Sequence, residues 1–134
     1  MRIHAAVVMV VILASCSQSP DRAFAEAFGA RIPARVTVVR YADSGLGMDH
    51  ANVWELAPVD DAFLAELAHI AKLRRRLASE PEVSGLTTEP WDPWWDARRI
   101  EALPEVYSRD GEREYWRVWV DRAAGRMYVQ WFDT

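Results

Sequence analysis

"EYWRVWVDRAAGRMYVQWF", residues 114–132, is the stretch that decides the fold. Two runs of aromatic and β-branched residues flank a polar hexapeptide, and large side chains recur on alternate positions, the period of a strand and not of a helix. If Asp121 faces Arg126 and Gly125 takes the left-handed position of the turn, one register follows. Trp116 then pairs with Trp131, Val118 with Val129 and Val120 with Met127 on one face. Tyr115 meets Phe132, Arg117 meets Gln130 and Trp119 meets Tyr128 on the other. The first face is apolar throughout and is expected to take a helix.

Working outward, "VYSRDG" at 106–111 places Asp110-Gly111 between this hairpin and a further extended run, a short-range hairpin signal because both turn residues tolerate positive φ. "ARVTVVRYA" (34–42) and "ANVWEL" (51–56) read as a second pair of strands. Residues 61–78 read as one long helix: Asp60 is its N-cap, Asp61 lies in the first turn, and Lys72, Arg74, Arg75 and Arg76 crowd the last turns. Phe63, Leu67, Ile70, Leu73 and Leu77 form its apolar stripe, and Pro81 ends it. A shorter helix is expected in "DRAFAEAF" (21–28), capped by Asp21, with Phe24 and Phe28 on one face and Gly29 beyond its end. The expected class is therefore α+β: a mostly antiparallel sheet of four or five strands, one long helix packed on one face, and an N-terminal apolar signal segment ahead of them.

That segment is apolar from Ala5 to Ala14, ten residues, where crossing the hydrocarbon of a bilayer takes about 20. It suits the core of an export signal. Leu13-Ala14-Ser15-Cys16 closes it and resembles the lipobox of bacterial lipoproteins, although the positive region before it is thin, with Arg2 alone and His4 nearby. The resemblance implies that Cys16 receives a diacylglyceryl group through a thioether, that the signal peptidase cuts before it, and that the new amine is often acylated in turn. On this expectation residues 1–15 are the signal peptide, 16–20 the lipidated cysteine and its tether, and 21–134 a single domain. Ser17, in place of an aspartate, resembles the sorting default for the outer membrane, facing the periplasm. Cys16 is the sole cysteine, so no internal disulfide is available to the mature chain. Two or three acyl chains would anchor it stably, since each buried methylene contributes about 0.8 kcal/mol.

Residues 16–134 carry fifteen basic against twenty acidic side chains, a net of −5, which gives no general attraction for nucleic acid. "EPWDPWWD" (89–96) is the unusual feature. Prolines push Glu89 and Asp92 toward extended conformations, so Trp94 and Trp95 point opposite ways and cannot both enter one core layer. Either the loop covers the second sheet face as a lid, or Trp91, Trp94 and Trp95 join Trp119, Tyr128, Arg117 and Gln130 in a surface that binds a partner protein, a glycan or a small ligand.

For chemistry the candidates are few. "DSGLGMDH" (43–50) gathers Asp43, Ser44, Asp49 and His50, but its glycines occupy the third and fifth positions where a Ca²⁺ loop needs ligands, and sequence proximity does not make a Ser/His/Asp set. His69 belongs to the polar side of its helix. No catalytic residue, metal or cofactor is expected. The expected role is a membrane-anchored, non-catalytic binding or interaction module of the bacterial envelope, with a glycan or small-ligand binder, or a small envelope hydrolase using His50, as the alternatives.

Overall fold

The computed structural model describes residues 19–43, 50–77, 79–81 and 93–134. Cys16, Trp91 and the signal segment lie outside the described residues. Helix α1 (Pro20–Phe28) leads into strands β1 (Thr37–Asp43) and β2 (His50–Ala57), then helix α2 (Asp61–Ile70) and the two-residue strand β3 (Arg74–Arg75). Helix α3 (Ala97–Glu101) precedes β4 (Glu105–Asp110), β5 (Glu114–Asp121) and β6 (Arg126–Asp133). The six strands form one sheet in the order β1-β2-β6-β5-β4-β3, and every neighbouring pair is antiparallel.

The β5-β6 hairpin has the register read from the sequence, from Tyr115 opposite Phe132 to Asp121 opposite Arg126, and Gly125 takes φ 66° in the turn. β1 and β2 pair as expected, with an irregularity between Val38 and Arg40. β4 and β5 are also joined as a hairpin, but Gly111 does not adopt positive φ. Its role is close approach: its N–H donates to the Glu114 carbonyl at 2.8 Å, and a Cβ there would lie 2.9 Å from that same oxygen.

The expected α+β class with one long helix is corrected by this architecture, which is a six-stranded antiparallel sheet with three short helices and is mostly β. The segment 61–78 is helical only to Ile70. Lys72 adopts φ 56°, and the Leu73 N–H reaches back to the Ala68 carbonyl at 2.8 Å, a left-handed cap that folds Leu73 into the core. Arg74 and Arg75 then pair with Ser108 and Tyr107, and the Arg76 N–H donates to the Val106 carbonyl at 2.8 Å. The unpaired edge of β4 recruits these residues, and that edge comes from a segment thirty residues further on. Ile70 and Leu77, counted in the stripe, are left exposed. Arg109 holds the truncated helix end: its guanidinium donates to the Ala71 carbonyl at 3.0 Å and lies 3.8 Å above the Trp116 ring.

Two short helices share the apolar face where one long helix was expected. Phe24 and Phe28 of α1 and Phe63, Leu64 and Leu67 of α2 bury against Trp54, Leu56, Trp116, Val118, Val120, Met127 and Val129. Helix α1 starts one residue earlier than expected and is capped by Ser19 instead of Asp21, with the Ser19 hydroxyl accepting from the Arg22 N–H at 3.2 Å. Two indoles pin it to the sheet. Trp54 Nε1 donates to the Pro20 carbonyl (3.0 Å) and Trp116 Nε1 to the Ala27 carbonyl (2.8 Å), which also satisfies two buried donors.

Candidate functional site

The opposite face of the sheet carries most of the side chains that the sequence offers for binding. Trp95 is only 6% exposed and packs edge-on against both Trp119 and Tyr128, with ring centroids 6.0 Å apart in each case. Trp119, Tyr128, Val53, Val106 and Ile100 complete a second core beneath α3. The Asp96 side chain caps α3 by accepting from the Arg99 N–H (3.2 Å). Arg99 then stretches over the Tyr128 ring at 5.2 Å, donates to its hydroxyl at 2.7 Å and pairs with Asp121 at 3.3 Å. The Tyr128 hydroxyl and Asp121 hold the Arg99 guanidinium pKa above its ordinary value. These contacts lock Trp95 and α3 onto the sheet.

Of the side chains named for a binding surface, Trp95, Trp119, Tyr128, Arg117 and Gln130 are therefore buried, and Trp94 is half-buried with its ring edge-on to Trp95 at 5.8 Å. Trp91 lies outside the described residues. Arg117 is turned inward: its Nη1 pairs with Asp110 at 2.6 Å and donates to the Trp116 carbonyl at 3.0 Å. Among the described residues, Arg117 Nε, Trp119 Nε1 and Gln130 Oε1 are buried with no hydrogen-bond partner. Unmatched polar atoms of this kind cost stability where they stand.

A cavity opens elsewhere, at the end of the apolar face that α1 only partly covers. It has a volume of about 340 Å³ and is lined by Ala23, Glu26 and Ala27 of α1 and by Asp43, His50, Asn52 and Trp131 of the sheet. Strand pairing assembles the sheet side: Asp43 is opposite Asn52, Asn52 is opposite Trp131, and His50 is opposite Asp133. Alternation sends these residues to the face of Trp54 and Leu56, and the alanines of α1 leave room above them. Asn52 is buried at the base; with its amide nitrogen turned toward the surrounding acceptors, its two N–H groups have Asp43 Oδ1 (3.1 Å), the Ala51 carbonyl (3.1 Å) and the Tyr41 hydroxyl (3.3 Å) within reach. Burial, with the Asp43 charge beside it, pushes the Tyr41 phenol up to about 12, so it stays neutral at physiological pH. Glu26, Asp43 and His50 are exposed at the mouth, where Glu26 meets Arg22 at 3.3 Å.

Asp43 and His50 are the two members of the 43–50 cluster that the structure brings to one site; Ser44 and Asp49 lie outside the described residues. His69 is exposed on α2. Sequence reasoning missed Asn52, Trp131 and Glu26 as site residues. One signal for Asn52 was available: it occupies an apolar-face position in the alternation shared by Trp54 and Leu56. Among the described residues no group of three or more His, Cys, Asp or Glu side chains could hold a metal ion, and no helix is long and apolar enough to cross a membrane.

Comparison with protein-family models, with curated proteins and with solved structures finds no match for the chain. Its class rests on the fold and the site themselves: a six-stranded antiparallel sheet with a closed aromatic core on one face and a polar cavity at the α1 end of the other.

Proposed function

We propose that the protein is a lipid-anchored lipoprotein of the bacterial envelope, attached through acylated Cys16, and that its domain acts by binding and not by catalysis. The observation that carries the proposal is Leu13-Ala14-Ser15-Cys16 at the end of a ten-residue apolar run. The position of α1 in the chain supports it. Ser19 caps α1 and the Pro20 carbonyl is already held by Trp54, so only Ser17 and Gln18 separate the cysteine from capped structure. Three residue steps reach at most about 11 Å, which would keep the first turn of α1 close to the headgroups. A groove of about 800 Å³ beside Ser19 is lined by Asp21, Arg22 and Arg31; Arg22 is shared with Glu26, and Arg31 offers a cation suited to a phosphate headgroup at that distance.

The test is metabolic labelling with radioactive palmitate in the source organism. Label in the wild-type chain and none in Cys16→Ser, with the substituted chain accumulating at its unprocessed mass, supports the anchor. An unlabelled wild-type chain of full, acyl-free mass refutes it. Sorting to the outer membrane is checked separately by sedimentation of the two membranes, and recovery with the inner membrane refutes that part.

A further inference from the structure

From the cavity between α1 and the ends of β1, β2 and β6, we infer a binding site for a small hydroxylated organic cation, of the amino-sugar or amino-alcohol type. This deepens the binding part of the proposed function and does not depend on the anchor.

Volume is the first ground. About 340 Å³ lies within the range of small-molecule sites, and the space is bounded by side chains on three strands and a helix that is itself pinned by two indole hydrogen bonds. A site on pinned elements is held open in advance, which lowers the ordering cost of binding. The sign of the charge is the second. Among the described lining residues the charges are the carboxylates of Glu26 and Asp43; Glu26 is shared with Arg22 at 3.3 Å, so Asp43 supplies most of the net negative charge, and Asp133 stands opposite His50 across the β2-β6 pair at the same end of the sheet. A carboxylate beside a low-dielectric wall attracts an ammonium group more strongly than it would in open water.

The lining also distinguishes a hydroxylated cation from a bare one. Trp131 presents an aromatic wall, suited to the C–H face of a sugar ring or to a cation over its π-system. Asn52 and His50 add hydrogen-bonding groups around it, so the cavity offers polar partners as well as charge. With its amide nitrogen turned toward Asp43, Asn52 lies 3.1 Å from Oδ1, within reach to orient that carboxylate. The indole N–H of Trp131 is sheltered and has no hydrogen-bond partner among the described residues.

The experiment is isothermal titration of the full-length chain, in detergent, with D-glucosamine, D-glucose and tetramethylammonium. Saturable binding of glucosamine is expected, weakened about tenfold in Asp43→Asn and by a smaller factor in Glu26→Gln. Both residues are exposed, so the melting temperatures of the variants should match the wild type and separate lost binding from lost folding. Glucose bound as tightly as glucosamine overturns the cationic assignment. Tetramethylammonium bound as tightly as glucosamine overturns the role of the hydroxyls. No saturable heat with any of the three, or an unchanged affinity in Asp43→Asn, overturns the site. Failure here leaves the palmitate result standing, and failure of labelling leaves the titration standing.

Discussion

Replacing Trp95 by alanine tests whether the tryptophan-rich loop belongs to the core or to a binding surface. A tryptophan in a core removes about 150–250 Å² from water, worth about 4–6 kcal/mol at about 25 cal/mol per Å². Trp95 is 94% sheltered and makes two edge-on ring contacts, at 6.0 Å to Trp119 and 6.0 Å to Tyr128, so most of that area counts. The low end of the usual tryptophan-to-alanine cost is about 3 kcal/mol. For a domain of this size that lowers the melting temperature by roughly 10–15 °C. Trp94→Ala, removing a half-buried ring, should cost about 1 kcal/mol. Urea unfolding followed by far-UV circular dichroism measures both without relying on the fluorescence of seven tryptophans. If Trp95→Ala unfolds at the wild-type midpoint with an unchanged slope, Trp95 is not part of the core and the second sheet face returns as a binding surface.

Two further outcomes follow from hydrogen bonds and charge. Trp54→Phe and Trp116→Phe each keep a large ring but remove the indole N–H that holds α1, so each should cost about 1 kcal/mol and raise amide exchange in residues 20–28; normal protection of α1 in both variants would refute the pinning. Glu80 is held down to about 2 by its twin hydrogen bonds from Arg74, and Glu105 is held below its ordinary value by Arg122 and then by the Tyr107 hydroxyl. Both folded-state values lie below the unfolded ones. The stabilisation is therefore complete above the ordinary carboxylate value of 4.5 and is lost as pH falls from there toward 2. Melting temperatures recorded down to acid pH should fall less steeply in Glu105→Gln than in the wild type, and identical acid limbs would rule out the linkage.

Local pattern made several elements legible. Alternation in 114–132 encodes the register of β5 and β6 because a one-residue slip would send the aromatic and valine set to the wrong face. Gly125 could be placed because the turn needs positive φ, which glycine supplies without strain. The helix around Phe24 and Phe28 was recognisable from their spacing, and its cap was misread by two residues because Ser19 and Asp21 are both good N-caps. At the candidate site, Asp43 and His50 stood out by residue type, whereas Glu26, Asn52 and Trp131 did not, since nothing in their own neighbourhoods says that three strands and a helix will meet there.

By itself the sequence determined most of the strand-forming segments, the faces they present and the charge balance, all of which depend on short-range chemistry. Tertiary structure alone decided that residues 74–76 leave the helix to pair with β4, because the gain is a set of interstrand hydrogen bonds whose partners lie some thirty residues away. It also decided that β6 inserts between β2 and β5, which brings Trp131 beside Asn52 and creates the cavity. The placement of Trp95 was settled in the same way. A pair of adjacent tryptophans reads identically as lid or as ligand platform, and only the docking of Trp95 between Trp119 and Tyr128, with Arg99 fastened to the Tyr128 hydroxyl, removes it from solvent.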